Sequence, residues 1–168
     1  MAQRRELLTW DDVDRLIDHL TPQFNTSFEA MVIITRGGII PGGMLSEALN
    51  IQDVLTAAVD FPFEDSRQSA KLLAWPEFIQ FPEDSRLRGR RVLVVDDVWG
   101  SGRTITAVKN RVTAAGGLPS TCVLHFNPYR SLFSQARPDY YAAITDAYIV
   151  YPWEVDRGPQ EVLLDEPD

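Results

Sequence analysis

Two adjacent carboxylates, Asp96 and Asp97, close the apolar run VLVV (residues 92–95). Val98 and Trp99 then lead into a turn of small residues, Gly100-Ser101-Gly102-Arg103-Thr104, that opens onto a helical pattern. A turn of this composition at a helix N-terminus presents unpaired backbone N–H groups, and with the helix dipole these hold a phosphate without net positive charge. The neighbouring carboxylates accept hydrogen bonds from vicinal hydroxyls. Together they suit a phosphorylated sugar. The generic nucleotide loops fit poorly. Gly37 to Gly42 has the glycine spacing of a Walker A loop, but Gly43 and Met44 stand where Lys and Ser/Thr are required. Gly100 and Gly102 lack the third glycine of a dinucleotide fingerprint, whose place is taken by Ile105.

Placing these turns requires strands ahead of them. AMVIIT (30–35), VLTAAVD (54–60), RVLVVDD (91–97) and LPSTCVLHF (118–126) are short, apolar and rich in β-branched residues, as expected of strands covered on both faces. YYAAITDAYIVYPW (140–153) supplies one or two more. Thr9 with Asp12 predicts a capping box on a helix over 10–20, ended by Pro22. Further helices are predicted after the Gly37-Gly38 turn and over TITAVKNRVTAA, the latter stopped at Gly116-Gly117. Residues 61–89, rich in Pro, Asp, Ser and Glu, read as a long loop that is either functional or partly mobile. Alternating strands and helices give an α/β fold with a mainly parallel twisted sheet flanked by helices. Ligands in such sheets bind outside the carboxyl ends of the strands, where both glycine turns fall.

The chain has 168 residues and a formal net charge of −8, which fits one domain and argues against nucleic acid as a partner. RLRGRR (86–91) reads as a short solvated basic turn. Cys122, the single cysteine, sits in an apolar run and reads as a buried thiol. The N-terminus lacks an apolar signal segment and no run is long enough to span a membrane, so a cytoplasmic protein is expected.

VLVVDDVWGSGRT resembles the phosphoribosyl-pyrophosphate (PRPP) motif of the type I phosphoribosyltransferases. TRGGIIPG (35–42) resembles the pyrophosphate loop SRGGLVPG of bacterial xanthine-guanine phosphoribosyltransferases, and YIVYPWE (148–154) resembles their base-binding WIEQPWD. Motif order, spacing and TWDDV near the start agree, so the likeness covers about residues 8 to 155. It implies one domain over 1–155, with a hood built from the N-terminal segment and about 127–155; the acidic residues 156–168 read from their composition as a flexible tail. The likeness implies transfer of ribose 5-phosphate from PRPP to a purine-like base with Mg²⁺, in a homodimer or homotetramer. Asp96 and Asp97 would take the ribose hydroxyls and hold Mg²⁺, directly or through water. Trp99, Gly100, Ser101, Gly102, Arg103 and Thr104 would wrap the 5′-phosphate. Thr35, Arg36, Gly37 and Gly38 would face the pyrophosphate, with a cis peptide expected at Thr35-Arg36. Tyr148 would stack on the base, unless it is a core aromatic, while the backbone near Ile149 and Glu154 contacts the base edge.

Three positions depart from the family pattern. In DDxxD the third Asp serves as general base, and here that position is Gly100. Glu64, Asp65 or Glu77 would have to substitute. Asn127 stands where a Lys recognises the purine's 6-oxo group. The loop after Asp60 lacks the family's Ser-Tyr pair, leaving Lys71 to approach a phosphate. These departures keep open a non-purine acceptor, and also a PRPP-binding regulator without transferase activity. DDVWGSGRT resembles the motif of pyrimidine-operon regulators as well, which bind RNA.

Overall fold

The structure is a computed structural model, and it describes residues 3–62 and 75–155. Glu64, Asp65, Lys71 and the 156–168 tail lie outside the described residues. The order is β1 (Arg5–Leu7), α1 (Trp10–Leu20), β2 (Ala30–Ile34), α2 (Ile39–Ala48), β3 (Val54–Asp60), β4 (Glu77–Gln80), β5 (Arg91–Val95), β6 (Val98–Trp99), α3 (Arg103–Ala114), β7 (Leu118–Phe126), β8 (Tyr140–Ile144), β9 (Tyr148–Val150) and α4 (Pro152–Val155). Five strands line up as β4-β3-β2-β5-β7, and β7 also pairs with β6 and β8. Every pairing is parallel except that of β4 with β3. β1 and β9 form a separate two-stranded parallel sheet.

The apolar runs dictate this arrangement. β2 and the last four residues of β5 are wholly buried because helices cover both faces of the sheet. On one face α1 and α2 bring Val13, Ile17, Leu20 and Leu45 against Met31, Ile33, Leu93 and Val95. On the other, α3 brings Ile105, Val108 and Val112 against Val32, Val92 and Val94. Each such side chain contributes about 1.5–3 kcal/mol by leaving water. The predicted capping box of α1 forms, with Asp12 N–H donating to Thr9 Oγ1 (3.2 Å) and Thr9 N–H donating to Asp12 Oδ2 (2.8 Å). Among the described residues, no helix is long and apolar enough to cross a membrane.

Two expectations are refined. The 61–89 segment is not all loop, because Glu77–Gln80 pairs with β3 as an antiparallel edge strand, and Phe78 packs edge-on against Phe81. The basic run is a turn with Arg86, Arg88 and Arg91 exposed, as expected, but it also carries structural contacts. Arg86 and Arg90 each meet Asp53 at 2.6 Å, and Arg91 N–H donates to the Glu29 carboxylate. The hydrogen bond from Arg90 chiefly holds the Asp53 carboxyl below its ordinary range. This cluster ties together the end of the sheet opposite the glycine turns.

Candidate active site

β5 ends at Val95, and Asp96 and Asp97 interrupt its pairing before β6 resumes along β7. Asp96 N–H still donates to Cys122 O (3.1 Å). The Asp97 carbonyl then receives two consecutive amides, Leu124 N–H at 2.9 Å and His125 N–H at 3.1 Å, and the Tyr151 hydroxyl at 3.0 Å. The doubled amides shift the alternation of β7. Cys122 and Leu124 join the core under α1, whereas Val123 and Phe126 join the core under α3.

Both acidic side chains fold back on the chain, Asp97 N–H donating to Asp96 Oδ1 (2.9 Å) and Val98 N–H to Asp97 Oδ1 (2.7 Å). Burial, reinforced by the charge of Asp97, pushes the Asp96 carboxyl well above its ordinary range. Burial also pushes Asp97 up to about 6, with the Glu154 charge adding to the rise. Two crowded carboxylates of raised pKa favour whatever brings them protons, hydroxyl donors or a cation.

The Gly37-Gly38 turn touches this pair. The Thr35-Arg36 peptide is cis, as expected. Thr35 is anchored to β3 through Ala57 O (2.9 Å), and Arg36 is exposed. A Cβ on Gly37 would stand 2.5 Å from Asp97 Oδ2, so a glycine here lets the two turns meet. One on Gly38 would meet Val95 O at 2.5 Å and Ile34 O at 2.8 Å.

In the second turn Ser101 Oγ accepts from Arg103 N–H (3.3 Å), and Gly102, at φ 83°, caps α3 in a left-handed conformation. The Trp99 ring lies on the inner side of the turn, against Gly102, where an added Cβ would meet the indole Cε2 at 2.5 Å. Its indole is buried edge-on against Phe126 at 5.9 Å and donates to Ser131 Oγ (3.2 Å), supporting the turn from below. The Arg103 guanidinium lies 4.4 Å from the centre of the Phe61 ring. Thr104 is half-buried in the first turn of α3. A Cβ on Gly100 would meet nothing within 4 Å, so steric crowding does not explain the missing carboxylate.

On the C-terminal side, Asn127 is buried, and its Oδ1 accepts from Tyr129 and Arg130 N–H, both at 3.2 Å. That oxygen shapes its own loop. Tyr148 is half-buried at the start of β9 with the Arg5 guanidinium 5.7 Å from its ring centre, while the Ile149 side chain belongs to the core. Glu154 Oε2 accepts from Tyr151 N–H (2.7 Å), and burial raises its carboxyl pKa. Glu77 pairs with Asp60 on β4, three strand spacings from β5 or about 14 Å, beyond the reach of a base. Tyr151 and His125 were not expected at the site. Their signal in the sequence is weak: two polar groups within the otherwise apolar runs VLHF and YIVYPW. Burial lowers the His125 pKa to about 4, so its ring is neutral at physiological pH.

Comparison with known proteins agrees with this geometry. A xanthine-guanine phosphoribosyltransferase of Chromohalobacter salexigens is 26% identical over 163 residues, covering 95% of this chain and 90% of that protein. One from Ruegeria sp. is 27% identical over 164 residues, covering 88% of this chain and 84% of that protein. The crystal structure of a purine phosphoribosyltransferase from Pyrococcus horikoshii superposes with a TM-score of 0.75 at 29% identity, covering 89% of this chain and 94% of that one. Residues 4–156 match the phosphoribosyl transferase domain model, and the chain belongs to that family.

Proposed function

We propose that the protein transfers ribose 5-phosphate from PRPP to a purine base, releasing pyrophosphate. The observation that carries this reading is the contact between Gly37 and the Asp97 carboxylate. It joins a loop suited to pyrophosphate and a pair of acids suited to ribose hydroxyls in one crevice at the strand ends. In this reading the amides from Gly100 to Thr104 take the 5′-phosphate, and Asp96 and Asp97 take the ribose hydroxyls. Arg36, exposed beside that crevice, and the Gly37-Gly38 amides take the pyrophosphate. The two-stranded β1–β9 sheet with α4 acts as the hood, Tyr148 lying over the base and the backbone of Ile149 and Glu154 meeting its edge.

The bond from ribose C1 to the pyrophosphate oxygen breaks, and a bond from C1 to a ring nitrogen of the base forms. Positive charge gathers on the ribose as the pyrophosphate leaves. Asp96 and Asp97 stabilise that charge, while Arg36 and the turn amides stabilise the departing anion. Two oxygen donors crowded together with raised pKa values fit a hard divalent cation such as Mg²⁺. Among the described residues no group of three or more such ligands occurs, so substrate oxygens and water would complete its shell. When bound, Mg²⁺ supplies charge neutralisation to the pyrophosphate. The base sheds its N–H proton as the bond forms; Gly100 offers no carboxylate for it, so water takes the proton, and this step is slower than with an Asp there.

Incubation with PRPP, Mg²⁺ and a panel of free bases, measuring pyrophosphate release, tests the proposal. Release with guanine, xanthine or hypoxanthine is expected. PRPP binding without release on any base contradicts it.

A further inference from the structure

A polar thread runs beneath the acidic pair through an otherwise apolar core. Tyr151 is 1% exposed, and its hydroxyl donates to the Asp97 carbonyl at 3.0 Å. His125 Nδ1 lies 2.8 Å from the same hydroxyl oxygen. A phenol has one proton, and the carbonyl takes it. The 2.8 Å contact therefore requires the Nδ1–H tautomer of His125, donating to the tyrosine oxygen.

Tyr151 has little freedom to relax. Trp153 stacks on its ring with centroids 4.5 Å apart and planes 3° from parallel, and the Glu154 carboxylate holds its N–H. The third donor on the Asp97 carbonyl thus comes rigidly from a segment 54 residues away. Pairing two polar groups in this core carries a desolvation cost that an apolar pair of similar shape would avoid. The thread ends on the Asp97 peptide, whose carboxylate faces Gly37.

We propose that His125 and Tyr151 are a positioning pair that fixes the Asp97 peptide, and through it the Asp97 carboxylate, for the ribose of PRPP. Neither residue touches substrate. The inference rests on the PRPP reading above, and PRPP binding to the unaltered protein tests that reading separately.

The test combines calorimetric titration of PRPP with Mg²⁺ and steady-state kinetics. Tyr151→Phe removes only the hydroxyl, and the PRPP Kd and KM should rise about tenfold while the KM of the acceptor base stays within about twofold. His125→Leu should match it, and the double variant should be no worse than the weaker single, because both act through one contact. His125→Gln, which keeps a side-chain donor, should recover most of the affinity. If Tyr151→Phe does not fold, His125→Leu and His125→Gln carry the comparison. Unchanged PRPP affinity in a folded variant, additive losses in the double, or a parallel rise in the acceptor KM would overturn the proposal. If the unaltered protein does not bind PRPP, the underlying reading fails as well.

Discussion

Asp97→Asn should make the protein more stable while removing its activity. The Asp97 carboxyl is raised from an ordinary 3.8 to about 6, chiefly by burial. A shift of that size corresponds to about 3 kcal/mol of destabilisation at neutral pH, and the residual water contact of a half-buried group trims it to about 1–3 kcal/mol. Asparagine keeps an oxygen for Val98 N–H, now at 2.7 Å from Asp97 Oδ1, and carries no charge beside Asp96. The sign follows from proton counting. The folded chain retains a proton that the unfolded chain releases between pH 3.8 and about 6, so stability falls as pH rises through that window. Thermal unfolding without PRPP or Mg²⁺ should therefore show a midpoint that declines over this range in the wild type. The decline should be shallower in Asp97→Asn, which melts higher at neutral pH, while pyrophosphate release is lost. A variant that melts lower than wild type at neutral pH, or that keeps full activity, would contradict this role for Asp97.

Other substitutions read other parts of the crevice. Gly37→Ala places a methyl group 2.5 Å from Asp97 Oδ2 and should weaken PRPP binding by at least about tenfold; calorimetry checks this, and unchanged affinity would mean the two turns do not share a ligand. Gly100→Asp enters open space, so its stability should stay within about 0.5 kcal/mol of wild type. Its purine transferase rate should rise by about tenfold or more, given that a general base contributes roughly 10² to 10⁴. An equal or lower rate in the folded variant would remove position 100 as the place of a lost base. Cys122 is fully buried with its thiol pKa pushed up by burial, so thiol reagents at mildly alkaline pH should label it only after unfolding, as mass spectrometry would record.

The sequence shows those parts of the fold that rest on continuous apolar pattern. β2, β3 and β5 are mostly Val, Ile, Leu and Ala, β7 carries the apolar stretch Cys122-Val123-Leu124, and α1 announces itself with the Thr9–Asp12 box. The short strands leave no such trace. β1 is three residues, two of them charged; β4 lies between Pro76 and Pro82; β6 is cut from β5 by the acids themselves. At the site, residue types are legible but side-chain directions are not. Trp99 and Asn127 stand in the expected segments, yet one ring turns into the core and one amide oxygen closes its own loop, because neighbouring backbone donors and Phe126 compete for them. Tyr151 passes for a core aromatic until the doubled amides on Asp97 bring its hydroxyl to that carbonyl.

Transfer from PRPP to a purine is measured most directly as formation of a nucleoside 5′-monophosphate. With PRPP, Mg²⁺ and guanine, xanthine or hypoxanthine, mass spectrometry should record the matching monophosphate in step with pyrophosphate. Product should be absent without the base and should vanish in Asp97→Asn. PRPP bound tightly with no monophosphate from any of the three bases would contradict purine phosphoribosyl transfer by this protein.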